Sequence, residues 1–287
     1  MDAYWSEAAD LKSTQLITNV LEWEKPDFVV FTGDQVSGDQ MYANGTENIH
    51  VLLKPLVEKR IRWGSVYGNH DIGPYITRLG ILEAEQSYGD LCYTKLVRGD
   101  LPGVTNYYIP VYANSSSVDP AMIWWFFDSQ GGSQGFPQPN YIGPSVIQWF
   151  KNESIKLNSR ANATLPSLVF FHIPPYEFVK IHDTVLTNPL CNGLLDDDVT
   201  PQENTGIMEA LMEVGGVKTV FVGHDHGNAW CCYYKTIQVC YNRPSGYSGY
   251  GTWLRGARII HLDVNDLHNQ INYVRLENGQ IVDSFTD

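Results

Sequence analysis

Four short apolar segments of this chain each end directly in polar residues of the kind that bind metals or take part in catalysis. Each apolar segment has the length and composition of a strand buried in a sheet. The polar segments that follow them are Gly33-Asp34, Gly68-Asn69-His70-Asp71, His172 and Gly223-His224-Asp225-His226. Because sites in α/β sheets form beyond the carboxyl ends of the strands, this order predicts an α/β fold with one site at one sheet edge.

The side chains at these strand ends are carboxylates, one amide and several imidazoles. Neutral imidazoles beside carboxylates favour Zn, Fe or Mn, whereas Mg or Ca would be expected in a site of oxygen ligands only. The remaining histidines, at positions 50, 182, 261 and 268, do not follow an apolar strand, and we interpret them as structural or surface residues. One such motif often arises by chance, but four in succession predict a metal-dependent site.

The rest of the chain alternates helical and strand patterns without a repeat or a linker, which favours one domain over residues 1–287. An amphipathic helix is predicted over 16–23, before a strand over 28–31 that is buried on both faces. Pro55 should interrupt or kink a helix over 48–60, and Pro74 should lie in the first turn of a helix that ends near Gln86. Further predicted elements are strands over 61–67, 107–112, 123–128, 167–171 and 217–222, helices over 145–157 and 207–214, and a C-terminal β-hairpin over 265–287 that turns at Asn278-Gly279.

Composition restricts the classes of partner. The chain has 287 residues, of which 43% are hydrophobic, so it can bury a sizeable core. Its net charge of −13 argues against nucleic acid or an anionic membrane as a partner, because both require a basic surface. No apolar run is long enough to span a bilayer. The oligomeric state stays open.

The cysteines and the glycosylation sequons bear on the cellular compartment. Five cysteines occur without a C-x-x-C pair, so a thiolate zinc site is not expected and at least one thiol is left over. Either Cys231 or Cys232 could pair with Cys240 across a hairpin. Four N-x-[ST] sequons, at Asn44, Asn114, Asn152 and Asn162, favour the secretory route, with unmodified surface asparagines as the alternative.

Together the motifs resemble those of the calcineurin-like metallophosphoesterases. Residues 33–38, Gly-Asp-Gln-Val-Ser-Gly, are similar to the family's G-D-x-x-x-G motif, and the later segments resemble its G-N-H-[DE], isolated histidine and G-H-x-H. Residues 245–251 and 253–258 resemble the purple-acid-phosphatase-like subgroup of plants and fungi. The resemblance spans most of the chain and implies a four-layer α/β/β/α sandwich with two mixed sheets and a two-metal centre.

The resemblance also implies a set of metal ligands. Asp34 would bridge two ions of Mn, Zn or Fe. Asn69, His172 and His224 would hold the second ion, and His226 would hold the first. Two such ions polarise a phosphoryl oxygen and supply a hydroxide for attack on phosphorus.

Catalytic roles follow from the same resemblance. His70 would contact the phosphoryl group or the leaving oxygen, and Asp71 would orient the His70 ring. The implied activity is hydrolysis of phosphomonoesters, either small phosphate esters or phosphoproteins, with a phosphodiester substrate left open. A serine hydrolase is not expected, because the G-x-S-x-G match at residues 131–135 lies in an irregular Gly/Pro/Gln loop and not in a strand-to-helix elbow.

The family's first motif, D-x-H on the first strand, has no counterpart here, because residues 1–33 contain no histidine. The resemblance therefore implies that the first strand is missing and that the first metal keeps only Asp34 and His226. We expect an N-terminally truncated form of a secreted protein whose missing segment carries a signal peptide. The alternative is a catalytically impaired or inactive member of the fold that acts as a binding protein.

Overall fold

The computed structural model describes residues 7–133 and 135–286 and has an α/β architecture, as predicted. Six α-helices are present in this part of the chain: α1 (Glu7–Glu24), α2 (Thr46–Lys59), α3 (Arg78–Gln86), α4 (Pro144–Ala161), α5 (Glu177–His182) and α6 (Ile207–Val214). The strands are β1 (Phe28–Thr32), β2 (Arg62–Val66), β3 (Tyr107–Val111), β4 (Met122–Phe126), β5 (Ser167–Phe170), β6 (Val217–Val222), β7 (Cys231–Tyr234), β8 (Ile237–Tyr241), β9 (Gly256–Asp263), β10 (Asp266–Leu276) and β11 (Ile281–Thr286). None of the described helices is both long and apolar enough to cross a membrane.

In the described part of the chain, three sheets form the middle of the molecule. The largest has the order β3-β4-β5-β6-β8-β7 and is mixed, because its central pairs are parallel and its two outer pairs are antiparallel. The parallel pair β1-β2 and the antiparallel sheet β11-β10-β9 are separate from it. The second mixed sheet that we expected is thus divided in two within the described residues. Helix α1 contacts β9, the strand that pairs with β10.

The packing confirms the predicted four layers. On one face of the six-stranded sheet, Trp125 and Val220 pack against Phe150 of α4 and Leu211 of α6. On its other face, Phe126 and Phe170 belong to a core shared with side chains of β1 and of β9–β11. The outer side of β1 and β2 is covered by α1, α2 and α3 through a third apolar cluster. Each sheet layer is therefore held between the other sheet layer and helices, which buries its apolar side chains on both faces.

Several element boundaries differ from the predictions. Pro55 lies inside α2 without ending it. Helix α3 begins at Arg78 rather than near Pro74, because the Thr77 hydroxyl caps it by accepting a hydrogen bond from the Gly80 N–H at 3.0 Å. Strand β1 is half-buried along its length rather than fully buried, and within the described residues it pairs with β2 alone.

The cysteine pairing resolves the alternative left open by the sequence. Cys231 of β7 bonds to Cys240 of β8 across the hairpin, so Cys232 is not the partner of Cys240. Cys232 instead bonds to Cys191 in the connection between α5 and α6. Cys92 is the free cysteine among the described residues. The Cys191–Cys232 bond anchors the 191 region to β7, the strand at the edge of the large sheet.

Candidate metal centre

The candidate site lies where β1, β2, β5 and β6 end, between the two sheet layers. Thr32 is paired with Val66 at the end of the small parallel pair, and Phe170 is paired with Phe221 near the end of the large sheet. The residues after these strands therefore emerge at one common edge. This is the arrangement that the sequence predicted from the four apolar segments.

Backbone conformations in this region are unusual. Asp34 and His224 have φ values of 51° and 79°, in the left-handed region that costs a residue other than glycine about 1–3 kcal/mol. Gly68 permits a close approach of two loops, since a Cβ atom there would lie 2.2 Å from Asp34 Oδ1. Such strain at strand ends is typical of residues held in place for function.

Four predicted ligands converge at this edge. His172 Nε2 lies 3.0 Å from Asp34 Oδ2, 3.1 Å from Asn69 Oδ1 and 3.3 Å from His224 Nδ1. One donor atom from each of Asp34, His172 and His224 falls within a group whose members are no more than 4.8 Å apart. These three form the only such cluster of His, Cys, Asp and Glu found in the part of the chain that is described.

Backbone groups orient two of these ligands. His172 Nδ1 lies 2.8 Å from the carbonyl oxygen of Thr32, to which it donates, so Nε2 faces the cluster. The N–H of His70 donates to Asp34 Oδ1 at 2.8 Å, which leaves Oδ2 toward His172. Metal-binding imidazoles usually donate their other N–H to a carbonyl or carboxylate in this way.

The charges of the cluster also suit a cation. Burial opposes ionisation of Asp34, but the adjacent His172 outweighs it and holds the pKa of Asp34 well below its ordinary value. Burial likewise opposes protonation of His172, but Asp34 raises the pKa of His172 above its usual range. Burial and the charge of His172 lower the pKa of His224 to about 3, so its imidazole is neutral. A metal ion would take the place of the His172 proton in this group.

His226 lies apart from the compact cluster. Its ring stacks on Tyr250 with centroids 4.3 Å apart, and its Nδ1 lies 3.3 Å from the Tyr250 carbonyl oxygen. The backbone N–H of His226 donates to the Tyr250 hydroxyl at 2.8 Å, and this hydroxyl donates to Asp197. Tyr250 thereby holds His226 in place through three contacts.

His70 and Asp71 do not pair as the sequence predicted. His70 Nδ1 lies 3.2 Å from Asp39 Oδ1, so the carboxylate against this ring is Asp39 and not Asp71. The buried Asp71 instead accepts the N–H groups of Gly68 at 2.7 Å and Val36 at 3.1 Å. Burial and the charge of Asp34 raise the pKa of Asp71 to about 7. Asp71 is thus placed to join the two loops rather than to orient the His70 ring.

Asp39 is the residue near the site that sequence reasoning missed. It follows the G-D-x-x-x-G segment directly and lies in a short 3-10 turn, Gly38–Gln40. The sequence feature that could have identified Asp39 is its position as an acidic residue immediately after the motif. Its side chain is 13% exposed, against 40% for His70, so the pair presents the imidazole to solvent and keeps the carboxylate behind it.

Within the described residues, the four converging donor groups suit one metal ion. A carboxylate, an amide oxygen and two imidazoles are suitable ligands for Zn, Mn or ferrous iron. A second ion would have only Asp34 and His226 among the predicted ligands, and His226 is outside the compact cluster. Three protein ligands are the usual minimum for a tight zinc site.

Three comparisons with known proteins agree on the kind of protein. A family model described as calcineurin-like phosphoesterase matches residues 9–228. An Arabidopsis thaliana protein named probable inactive purple acid phosphatase 28 is 30% identical over 279 residues, covering 91% of this chain and 69% of that protein. Phosphatase DCR2 of Saccharomyces cerevisiae is 31% identical over 286 residues, covering 94% of this chain and 49% of the yeast protein. A crystal structure of a dimetal phosphatase from Danio rerio, 14% identical, superposes with a TM-score of 0.60 over 97% of this chain and 88% of that chain, which shows a shared fold.

Proposed function

The chain belongs to the calcineurin-like phosphoesterase family, and we propose that it hydrolyses phosphomonoesters in a metal-dependent reaction. The observation that carries this proposal is the convergence of donor atoms from Asp34, His172 and His224 within 4.8 Å of one another. Asn69 Oδ1, 3.1 Å from His172 Nε2, supplies a fourth donor to the same place. When bound there, a divalent ion supplies a Lewis acid that polarises a phosphoryl oxygen.

His70 is the group that we place against the substrate. Its ring is partly exposed beside the cluster, and its backbone N–H is bonded to Asp34 Oδ1. Asp39 accepts from Nδ1 and orients the ring, so a protonated His70 can donate its Nε2–H to a phosphoryl or leaving-group oxygen. This hydrogen bond becomes stronger as negative charge develops in the transition state.

We propose small phosphate esters or exposed phosphorylated side chains as substrates. The net charge of −13 disfavours polyanions, so nucleic acid is not among the proposed partners. Phosphomonoesters carry their charge on one terminal group, which a cation bound near Asp34 can neutralise locally.

The test is hydrolysis of p-nitrophenyl phosphate by the full chain loaded with zinc or manganese, with and without a chelator. Asp34→Asn should lose both bound metal and turnover. His70→Ala should keep its metal and lower kcat about 10²–10⁴-fold. His50→Ala is the matched control, because His50 is exposed and bonded to Tyr88 away from the cluster. Turnover that survives both the chelator and Asp34→Asn would refute the proposal.

A second candidate is a catalytically impaired member of the family that binds metal or phosphate without turnover. The observation that favours it is His226, which stacks on Tyr250 instead of joining the cluster. Stoichiometric metal binding without hydrolysis in the same assay would support this candidate over the first.

We further propose passage through the secretory pathway. Two disulfides within the chain are typical of proteins that fold in an oxidising compartment. Asn44 and Asn114 lie in exposed turns, where their side chains accept hydrogen bonds from Thr46 Oγ1 at 2.7 Å and Ser116 Oγ at 2.6 Å. Glycans at these two positions, detected by mass spectrometry after expression in a secretory host, would support the proposal, and reduced, unmodified protein from the native source would refute it.

A further inference from the structure

Arg78 is a buried cation close to the predicted ligands. The proposed reaction does not use this residue. It is the first residue of α3 and is 7% exposed. Burying a guanidinium is costly unless its N–H groups find acceptors. The hydrogen-bond acceptors of Arg78 therefore indicate its structural role.

Three backbone carbonyl groups converge on one nitrogen of this side chain. The two N–H groups of Arg78 Nη2 are shared among the oxygens of Gly68 at 2.7 Å, Gln130 at 3.0 Å and Gly131 at 2.7 Å. Gly68 directly precedes the ligand Asn69, whereas Gln130 and Gly131 belong to the loop that follows β4. One side chain thus joins two loops that are about sixty residues apart in the chain.

The second of these loops lies directly behind Asn69. A Cβ atom at Gly131 would be 2.9 Å from Asn69 Cβ and 2.8 Å from Ile173 Cδ1. The hydroxyl of Ser129 in the same loop accepts the N–H of Ile173 at 3.0 Å. The segment 129–131 therefore lies against both Asn69 and Ile173, the residue after His172.

We propose that Arg78 is a positioning residue for the metal centre. By holding the Gly68 carbonyl against segment 129–131, it fixes Asn69 with its amide oxygen toward His172. The role rests on the proposed metal site, but Arg78 itself touches neither the predicted ligands' donor atoms nor the substrate. It acts through the two loops that it joins.

The test compares Arg78→Met and Arg78→Lys in the full chain. Arg78→Met keeps the bulk but has no donors, and we expect zinc affinity, measured by competition with a chelating dye, to fall about 10–100-fold. Arg78→Lys keeps an ammonium with three N–H donors and should recover most of this loss. Arg275→Met is the matched control, because Arg275 also bonds to a carbonyl, that of Gly279, but lies near Glu24 at the opposite end of β1.

Hydrogen exchange in the metal-free protein provides a readout that does not depend on metal binding. Arg78→Met should speed exchange of the amides in residues 68–73, and Arg275→Met should not. Should Arg78→Met fail to fold, Arg78→Gln, whose amide carries two N–H donors on a shorter side chain, should weaken zinc binding relative to Arg78→Lys. Unchanged zinc affinity and unchanged exchange in a folded Arg78→Met variant would overturn the proposal. Failure of the wild-type chain to bind zinc would instead count against the proposed function, with the exchange result still deciding the role of Arg78.

Discussion

Asp34 combines a strained backbone with a carboxylate that stays ionised. Its φ of 51° is maintained by the loop contacts around it, above all the hydrogen bond from His70 and the close approach of Gly68. The surrounding fold must offset this strain of about 1–3 kcal/mol. The fold therefore holds Asp34 in place at the centre of the cluster of predicted ligands.

The contact between Gly68 and Asp34 can be tested by a single methyl group. In Gly68→Ala the new Cβ would lie 2.2 Å from Asp34 Oδ1, so one of the loops must move. We expect a loss of about 1–3 kcal/mol in the free energy of unfolding, together with weaker zinc binding. Gly99→Ala is the control, since no atom lies within 4 Å of its added Cβ. Equal zinc affinities in the two variants would show that the close approach is not needed.

Glu85, away from the predicted ligands, should make the free energy of unfolding depend on pH. It is fully buried and accepts a hydrogen bond from Ser65 Oγ at 2.7 Å, and burial raises its pKa above the ordinary value of 4.5. Because the folded-state pKa is raised, its favourable contribution is present below the unfolded-state value and is lost as the pH rises through the folded-state value.

Glu85→Gln should remove this dependence, because glutamine is neutral throughout. As the pH is raised above the ordinary value of 4.5, the free energy of unfolding of the wild type should fall relative to that of Glu85→Gln. Urea denaturation of both proteins across this range measures the difference. Parallel curves would mean that Glu85 is not buried as the structure has it.

Among the elements, the strongly patterned ones were predictable from the sequence. Strand β6 and helix α6 have the predicted bounds, and the four strand ends carry the predicted ligands Asp34, Asn69, His172 and His224. Helix α5 was missed because six residues are too few to show a helical period. The start of α3 was misplaced because proline is also found in turns before a helix.

Contacts between distant segments left no signal in the sequence. The bond between Cys191 and Cys232 depends on how the 191 region packs on β7, which spacing alone does not determine. Arg78 could not be identified because its partners are backbone carbonyls, which any residue type provides. Asp39 was near a motif but faces His70 only once the 3-10 turn is formed.

The two disulfides should differ in their effect on stability. In a chain-entropy account, a cross-link stabilises more when it closes a longer loop. The separation is 41 residues for Cys191–Cys232 and 9 for Cys231–Cys240. The paired alanine variants should lose about 4 and about 3 kcal/mol of unfolding free energy, respectively, in denaturant titrations. Cys92→Ala, which removes a free thiol, is the control, and a larger loss for the shorter loop would contradict the entropic account.

For the whole molecule, four layers bring the two sheet layers together at the edge where the ligands lie. Helices α4 and α6 cover one side, and α1, α2 and α3 cover the other. The family match over residues 9–228 includes all four segments that carry the predicted ligands. That residues 1–287 form one domain stays a prediction.

The central claim is that Asp34, Asn69, His172 and His224 hold a metal ion together. Anomalous diffraction at the zinc absorption edge, from crystals of the full chain grown with zinc, tests it most directly. We predict one strong anomalous peak at about 2.0–2.3 Å from a donor atom of each of these four side chains. An anomalous peak at another position, or no peak among these side chains in zinc-saturated crystals, would contradict the account.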